Sequence, residues 1–127
     1  MRDLESITRE LDLLEKTQAE LAGVASRQDD QRRHDLIGLR LRLSAQIAAV
    51  GDAANPLFAA LEDAETARIY RSKYSRMRSA AALHQANWPA VLLGERPEEY
   101  RASALAVREA NRDFVAWMRT TLRTLKR

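Results

Sequence analysis

Two histidines are the side chains of this sequence best suited to proton or group transfer, and they lie far apart in the chain. His34 begins the sequence HDLIG (34–38). Since residue i+4 lies beside residue i on a helix, Gly38 would leave its imidazole uncovered. His84 lies one helical turn before Trp88, where the negative end of a helix dipole would favour a histidine. No matching serine or cysteine nucleophile accompanies either histidine. We therefore expect a protein without catalytic residues, which is not an enzyme.

The sequence HDLIG (34–38) resembles the phosphoacceptor box of histidine phosphotransfer domains and of the helical-hairpin domain of sensor histidine kinases. The resemblance implies that His34 accepts a phosphoryl group and that Gly38 keeps the imidazole open to a response regulator. The alternative interpretation is an exposed histidine in a charged helix start.

Arginines repeat at alternating steps of seven and four near the end of the chain, which places them along one side of a helix. The row consists of Arg101, Arg108, Arg112, Arg119 and Arg123. Arginine suits bidentate contact with an anion, so the row is a candidate anion-binding surface for an acidic protein or a nucleic acid. The alternative is salt bridging to the first helix, because residues 1–30 hold eight acidic and only four basic side chains.

Metal chemistry is not expected. The chain has no cysteine and only two histidines, so a metal site would depend on carboxylates. Glu62, Asp63 and Glu65 are close together, but a di-iron site needs Glu-x-x-His pairs, and none is present. We interpret these three residues as solvated charges at the start of the third helix. Neither a cofactor nor a small-molecule substrate is expected.

Composition predicts the fold class. The 127 residues include only four glycines and three prolines, and good helix formers dominate. We expect one domain over residues 1–127. It should be an all-α, antiparallel four-helix bundle, with long amphipathic helices and a basic C-terminal helix.

The first two helices are predicted from apolar residues spaced three and four apart. Helix one should extend from about Asp3 to Arg27, and its buried row is Leu4, Ile7, Leu11, Leu14, Gln18, Leu21 and Ala25. Asp29 and Asp30 could cap helix two. Its buried row is Leu36, Leu39, Leu43, Ile47 and Val50.

The sequence GDAANP (51–56) predicts the next turn. Gly51 could end helix two, Asn55 could cap helix three, and Pro56 suits its first position. Helix three should then extend to about Ala86, with Leu61, Tyr70, Tyr74, Met77 and Ala81 buried and most of its basic residues in water. The apolar connector 90–96 is expected to fold over one end of the bundle with Trp88.

The last helix begins at Pro97, and its two faces differ clearly. The predicted buried row is Tyr100, Ala104, Val107, Asn111, Phe114, Met118, Thr121 or Leu122, and Leu125. No apolar run reaches the roughly twenty residues that span a bilayer, and the N-terminus lacks the apolar core of a signal peptide. We therefore expect a cytoplasmic protein.

The two-faced last helix and the missing catalytic set favour a module that binds another protein, or a second copy of itself. Affinity would come from apolar side chains, with arginines steering the encounter. The candidate partner-binding residues are Trp88, Phe114, Trp117 and Met118. The architecture resembles the small helical export chaperones of flagellar and type III secretion systems, of the FlgN and FliT kind. That resemblance implies that the apolar row of residues 100–125 binds an exported client.

Overall fold

The computed structural model describes residues 2–89 and 96–126, and they form four α-helices. The helices are α1 (Arg2–Ala25), α2 (Arg32–Ala59), α3 (Ala64–Asn87) and α4 (Pro97–Lys126). The described part of the chain contains no β-strand. The predicted all-α class is confirmed.

Each helix packs against two neighbours, in the cyclic order α1, α2, α3, α4. Sequential helices are antiparallel. Between α3 and α4, for example, Lys73 pairs with Asp113, and His84, eleven residues further along α3, contacts Ser103, which precedes Asp113 in α4. This arrangement is an up-down-up-down four-helix bundle.

The apolar rows of the helices meet along the bundle axis. In α1, Leu4, Ile7, Leu11 and Leu14 are buried as predicted, and the row continues through the buried Thr17. The part of the core nearest the turn between α2 and α3 is aromatic, because Phe58 of α2 stacks on Tyr70 of α3 with ring centroids 4.2 Å apart, and Phe114 of α4 packs beside Tyr70. Burial of these rows is the main driving force for the fold.

The predicted turn at residues 51–56 is wrong. Helix α2 continues through Gly51 and Pro56 to Ala59, because Val50, Ala54 and Phe58 extend its buried row by one residue every four. Pro56 removes one helical hydrogen bond, but it lies on the exposed side of the helix, where water can reach the freed carbonyl group. The energy of packing outweighs the local signal for a turn.

The residues that were expected to form that turn have other roles. Gly51 is buried against Tyr74 of α3, whose hydroxyl donates a hydrogen bond of 2.9 Å to the carbonyl of Ile47. Asn55 accepts a hydrogen bond from the Tyr70 hydroxyl. Helix α3 starts eight residues later than predicted, at Ala64. Its N-cap is Asp63, whose carboxylate accepts hydrogen bonds from the amides of Glu65 and Thr66.

The turn between α1 and α2 also differs in detail from the prediction. Gln31 occupies the N-cap position of α2 and makes no side-chain capping bond. Asp29 accepts a hydrogen bond from the Gln31 amide at 3.0 Å and pairs with Arg27 at 2.6 Å, so its carboxylate organises the turn before the helix. Arg27 also pairs with Asp35 at 2.8 Å and so ties the end of α1 to the start of α2.

A second apolar cluster lies at the end of the bundle. Trp88 is buried against Leu36 of α2 and Tyr100 of α4, and its ring meets the Tyr100 ring edge-on at 5.4 Å between centroids. The predicted cover of this end by Val91, Leu92 and Leu93 lies outside the described residues.

We expect Gly51→Ala to destabilise the protein by about 1–3 kcal/mol, which is the usual result of overpacking a core. An added Cβ would lie 2.7 Å from Cζ of Tyr74. The Tyr74 ring cannot easily move away, because it packs on Tyr70 and Phe114 and its hydroxyl is bonded to α2. Urea denaturation of the purified variant measures the change in the free energy of unfolding.

Gly38→Ala is the matched control within the same helix. Nothing lies within 4 Å of its added Cβ, so the higher helix propensity of alanine should stabilise the protein by about 0.5–1 kcal/mol. Equal stabilisation by both substitutions would show that Gly51 does not provide a close helix–helix contact.

Candidate functional site

Helix α4 has the two faces that its sequence predicts. Tyr100, Val107, Asn111, Phe114, Met118 and Leu122 are buried, and Ala104, Thr121 and Leu125 are partly buried. Val115 is buried as well, which extends the buried face toward α1. The periodicity of apolar residues was sufficient to predict this face.

The four side chains predicted to bind a partner belong mainly to the core. Phe114 and Met118 have no exposed surface, and Trp88 is 6% exposed. Trp117 is partly buried and packs against Phe58 with ring centroids 5.9 Å apart. In this conformation Phe114 and Met118 stabilise the bundle and are not on its surface. The structure brings Phe114, Met118 and Trp117 into one core, whereas Trp88 belongs to the cluster at the bundle end.

The five arginines of the predicted row do not form one continuous surface. Arg119 pairs with Asp12 at 2.8 Å and with Glu15, both on α1. This contact raises the pKa of Arg119, chiefly through the hydrogen bond to Glu15. Arg101 pairs with Glu98 of its own helix at 3.2 Å. The alternative prediction, a salt bridge to the first helix, is therefore correct for Arg119. Arg123 is exposed and contacts Thr120.

Arg108 and Arg112 have a different setting, because both line a surface groove between α1 and α4. We call this the α1–α4 groove; its lining residues are Leu14, Glu15, Gln18, Ala19, Ala22, Arg108, Asn111, Arg112, Val115, Ala116 and Arg119. Within the described part of the chain, neither Arg108 nor Arg112 has a carboxylate within 4 Å. Glu15 is the only acidic residue among the described residues of the lining, and it is already paired with Arg119.

Small side chains create the space in this groove. Ala19 and Ala22 of α1 face Ala116 of α4 across it, and an alanine extends only one carbon from the backbone. Leu14 and Val115 provide a buried apolar floor. The result is a concave surface with an apolar floor and cationic walls, a combination that suits an amphipathic segment with acidic residues.

His34 is exposed on α2, as its spacing to Gly38 predicts. A Cβ at Gly38 would meet nothing within 4 Å, so even an alanine there would not touch the imidazole, and the exposure of His34 does not depend on the glycine. Both residues line an open depression between α1 and α2 that also includes Arg42 and Glu20, which form an ion pair. The depression is accessible to a large partner.

His84 lies in the last turn of α3, as its position before Trp88 predicts, and it is buried there. It is 7% exposed, its Nδ1 forms a hydrogen bond of 2.6 Å with Oγ of Ser103, and its ring lies 5.1 Å from that of Tyr100. Burial, and to a smaller extent the charge of Arg40, lowers the pKa of His84 to about 4. Desolvation of the cation outweighs the helix dipole, so the imidazole is neutral at pH 7.

Arg40 is a buried residue that was not predicted. The expected row of α2 included Leu39, which is only partly buried, whereas Arg40 is 9% exposed. The spacing of the buried residues 36, 40, 43, 47, 50 and 54 alternates between four and three, and position 40 is the only charged one. An uninterrupted heptad pattern is the signal that could have identified Arg40.

The charged groups of the described residues do not form a metal site. Within residues 2–89 and 96–126 no three His, Cys, Asp or Glu side chains are grouped closely enough to hold a metal ion. No helix in those ranges is both long and apolar enough to cross a membrane. Comparison with family models, with curated proteins and with solved structures gives no match.

The low pKa of His84 makes the free energy of unfolding depend on pH. The unfolded chain takes up a proton near the ordinary histidine pKa of 6.5, whereas the folded chain does so only near pH 4. Between these values the unfolded state binds more protons, so the free energy of unfolding should fall as the pH decreases from about 6.5 to about 4. The loss attributable to His84 should approach about 3 kcal/mol. Chemical denaturation across this pH range measures it.

His84→Gln should remove the part of the pH dependence that is due to His84. His34→Gln, which changes the exposed histidine, should retain it. Parallel pH profiles for the wild type and His84→Gln would show that His84 is not held neutral by burial.

Proposed function

We propose that this chain is a cytoplasmic, non-enzymatic helical module that binds another protein through the α1–α4 groove. The observation that supports the proposal is the position of Arg108 and Arg112 on the walls of a groove whose floor is apolar. Neither arginine has an acidic partner among the described residues.

The proposed partner is an amphipathic helix with acidic residues along one side. Its apolar face would cover Ala19, Ala22 and Ala116 above the buried floor, and its carboxylates would pair with Arg108 and Arg112. Charge complementarity of this kind increases the rate of association and selects the orientation of the partner, while apolar contact supplies most of the affinity.

The proposal places the contact on a different side of α4 from the row suggested by the resemblance to export chaperones. Phe114 and Met118 have no exposed surface, so a client could reach them only if the bundle opened. The α1–α4 groove lies beside that row and is open in the folded bundle. A role as chaperone, adaptor or self-associating regulator would be compatible with it.

We expect Arg108→Glu together with Arg112→Glu to weaken binding of acidic amphipathic peptides by at least about tenfold. Loss of two charge pairs with a partner, followed by repulsion, costs at least about 1.4 kcal/mol. Selection from a displayed library of helical peptides with varied net charge should enrich acidic amphipathic sequences, and isothermal titration calorimetry measures their affinities.

The matched control is Arg71→Glu together with Arg78→Glu, which makes the same charge change on exposed residues of α3, outside the groove. Circular dichroism checks that both double variants stay helical. Enrichment of peptides without acidic residues, or equal binding by the two double variants, would contradict the proposed contact surface.

Phosphotransfer through His34 is a second candidate function. The observation that favours it is the exposed imidazole beside Gly38, at the edge of a depression that a large partner can reach. In phosphotransfer, the imidazole of His34 would attack the phosphorus of a phosphorylated aspartate on a response regulator. The phosphoryl group would move to the imidazole, and the aspartate carboxylate would leave.

Incubation with a panel of phosphorylated response regulators should then yield an acid-labile phosphoprotein, and His34→Ala should remove the label. The buried His84 supplies an internal control, because His84→Gln should leave the label unchanged. The absence of label across the panel would eliminate this function while leaving the groove proposal unaffected.

A further inference from the structure

A small cavity lies inside the bundle at the level of Arg40. Its volume is about 40 Å³, and residues of all four helices line it. A single water needs at least about 10–15 Å³, so the cavity has room for roughly three waters or for one ligand of similar size.

Among the described residues, Arg40 is a buried cation without a matching anion. The side chain lines the cavity and is 9% exposed, and its Nε–H has no hydrogen-bond partner. Its Nη2 donates only a long bond of 3.4 Å to the carbonyl of Gln85. Burial lowers the pKa of Arg40, yet a guanidinium remains charged at neutral pH. An unpaired buried charge is unfavourable, so an anion that reached this position would be bound strongly.

The rest of the lining also favours an anion. Arg108 is a second cation at the cavity wall, and none of the described lining residues is acidic. Gln18 also lines the cavity, and its Oε1 is buried without a partner. Rotation of this amide by 180° would place its NH2 donors at the same position, where an anion could accept a hydrogen bond.

We propose that this cavity binds a small carboxylate anion of the size of formate or acetate. The carboxylate accepts hydrogen bonds from the planar guanidinium of Arg40, whose geometry matches two carboxylate oxygens. Gln18, Ala22 and Arg108 line both the cavity and the α1–α4 groove, so the groove is the path of entry. The site does not depend on the proposed protein contact.

Sodium acetate and sodium formate are the probes, with sodium chloride at equal ionic strength as the reference. Both carboxylates should raise the thermal unfolding midpoint in a saturable manner at pH 7, because they bind only the folded chain. Sodium benzoate, which is too large for the cavity, should behave as chloride does. NMR titration should shift the Arg40 Nε–H resonance with the same midpoint concentration.

His84 provides an independent readout, because a bound anion favours its protonated form and should raise its pKa. The groups that face or surround the ring are Arg40, Gln85, Tyr100, Ser103 and Arg108, and none of them is an anion at neutral pH. NMR titration of the histidine in acetate and in chloride measures this change.

Arg40→Met retains the unbranched apolar part of the side chain and removes the guanidinium group with its charge, so the variant should fold and lose at least about tenfold in acetate affinity. Arg71→Met removes an exposed arginine of α3 and should bind acetate as the wild type does. If Arg40→Met does not fold, the wild-type comparison of acetate, benzoate and chloride still decides the result. A cavity that holds only water would give identical curves in acetate and chloride, and that result would overturn the proposal.

Discussion

The fold depends on the alignment of four apolar rows around one axis. Each row must continue without interruption, because a helix that turns away early leaves the rows of both neighbours exposed to water. This requirement explains why α2 extends to Ala59 even though it contains Gly51 and Pro56. Because α2 extends this far, Phe58 stacks on Tyr70, and this contact joins the last turn of α2 to α3.

The need for a continuous row in α2 also accounts for polar side chains inside the bundle. The row of α2 passes through position 40, so an arginine enters the bundle at the level where His84 and Gln18 also face inward. With Arg108 of α4, all four helices supply polar groups to one cavity, and the side chain of Arg40 pairs with no described carboxylate there. Together with the proposed carboxylate site, the neutral histidine and the guanidinium, which no described carboxylate pairs, form one electrostatic unit inside a mainly apolar core.

The arginines on the surface of α4 have different environments because their neighbours on α1 differ. All five arginines of its row have the same chemistry, yet Arg119 lies opposite Asp12 and Glu15, whereas Arg108 and Arg112 lie opposite Ala19 and Ala22. All three arginines line the α1–α4 groove, but only the charge of Arg119 is paired there by described carboxylates. The residues of α1 next to each arginine, and not the spacing of the arginines, therefore decide which arginine forms an ion pair within the bundle and which belong to the proposed partner contact.

The sequence alone determined the helical class and the buried faces of α1 and α4, because the spacing of apolar residues depends only on helix geometry. Only the tertiary structure decided the end of α2, the burial of His84 and the separate environments of the arginines. Local signals such as Gly51, Asn55 and Pro56 contribute about 1–3 kcal/mol each. The energy of packing against residues distant in sequence outweighs these local signals. A local sequence pattern does not show which distant residues will come into contact.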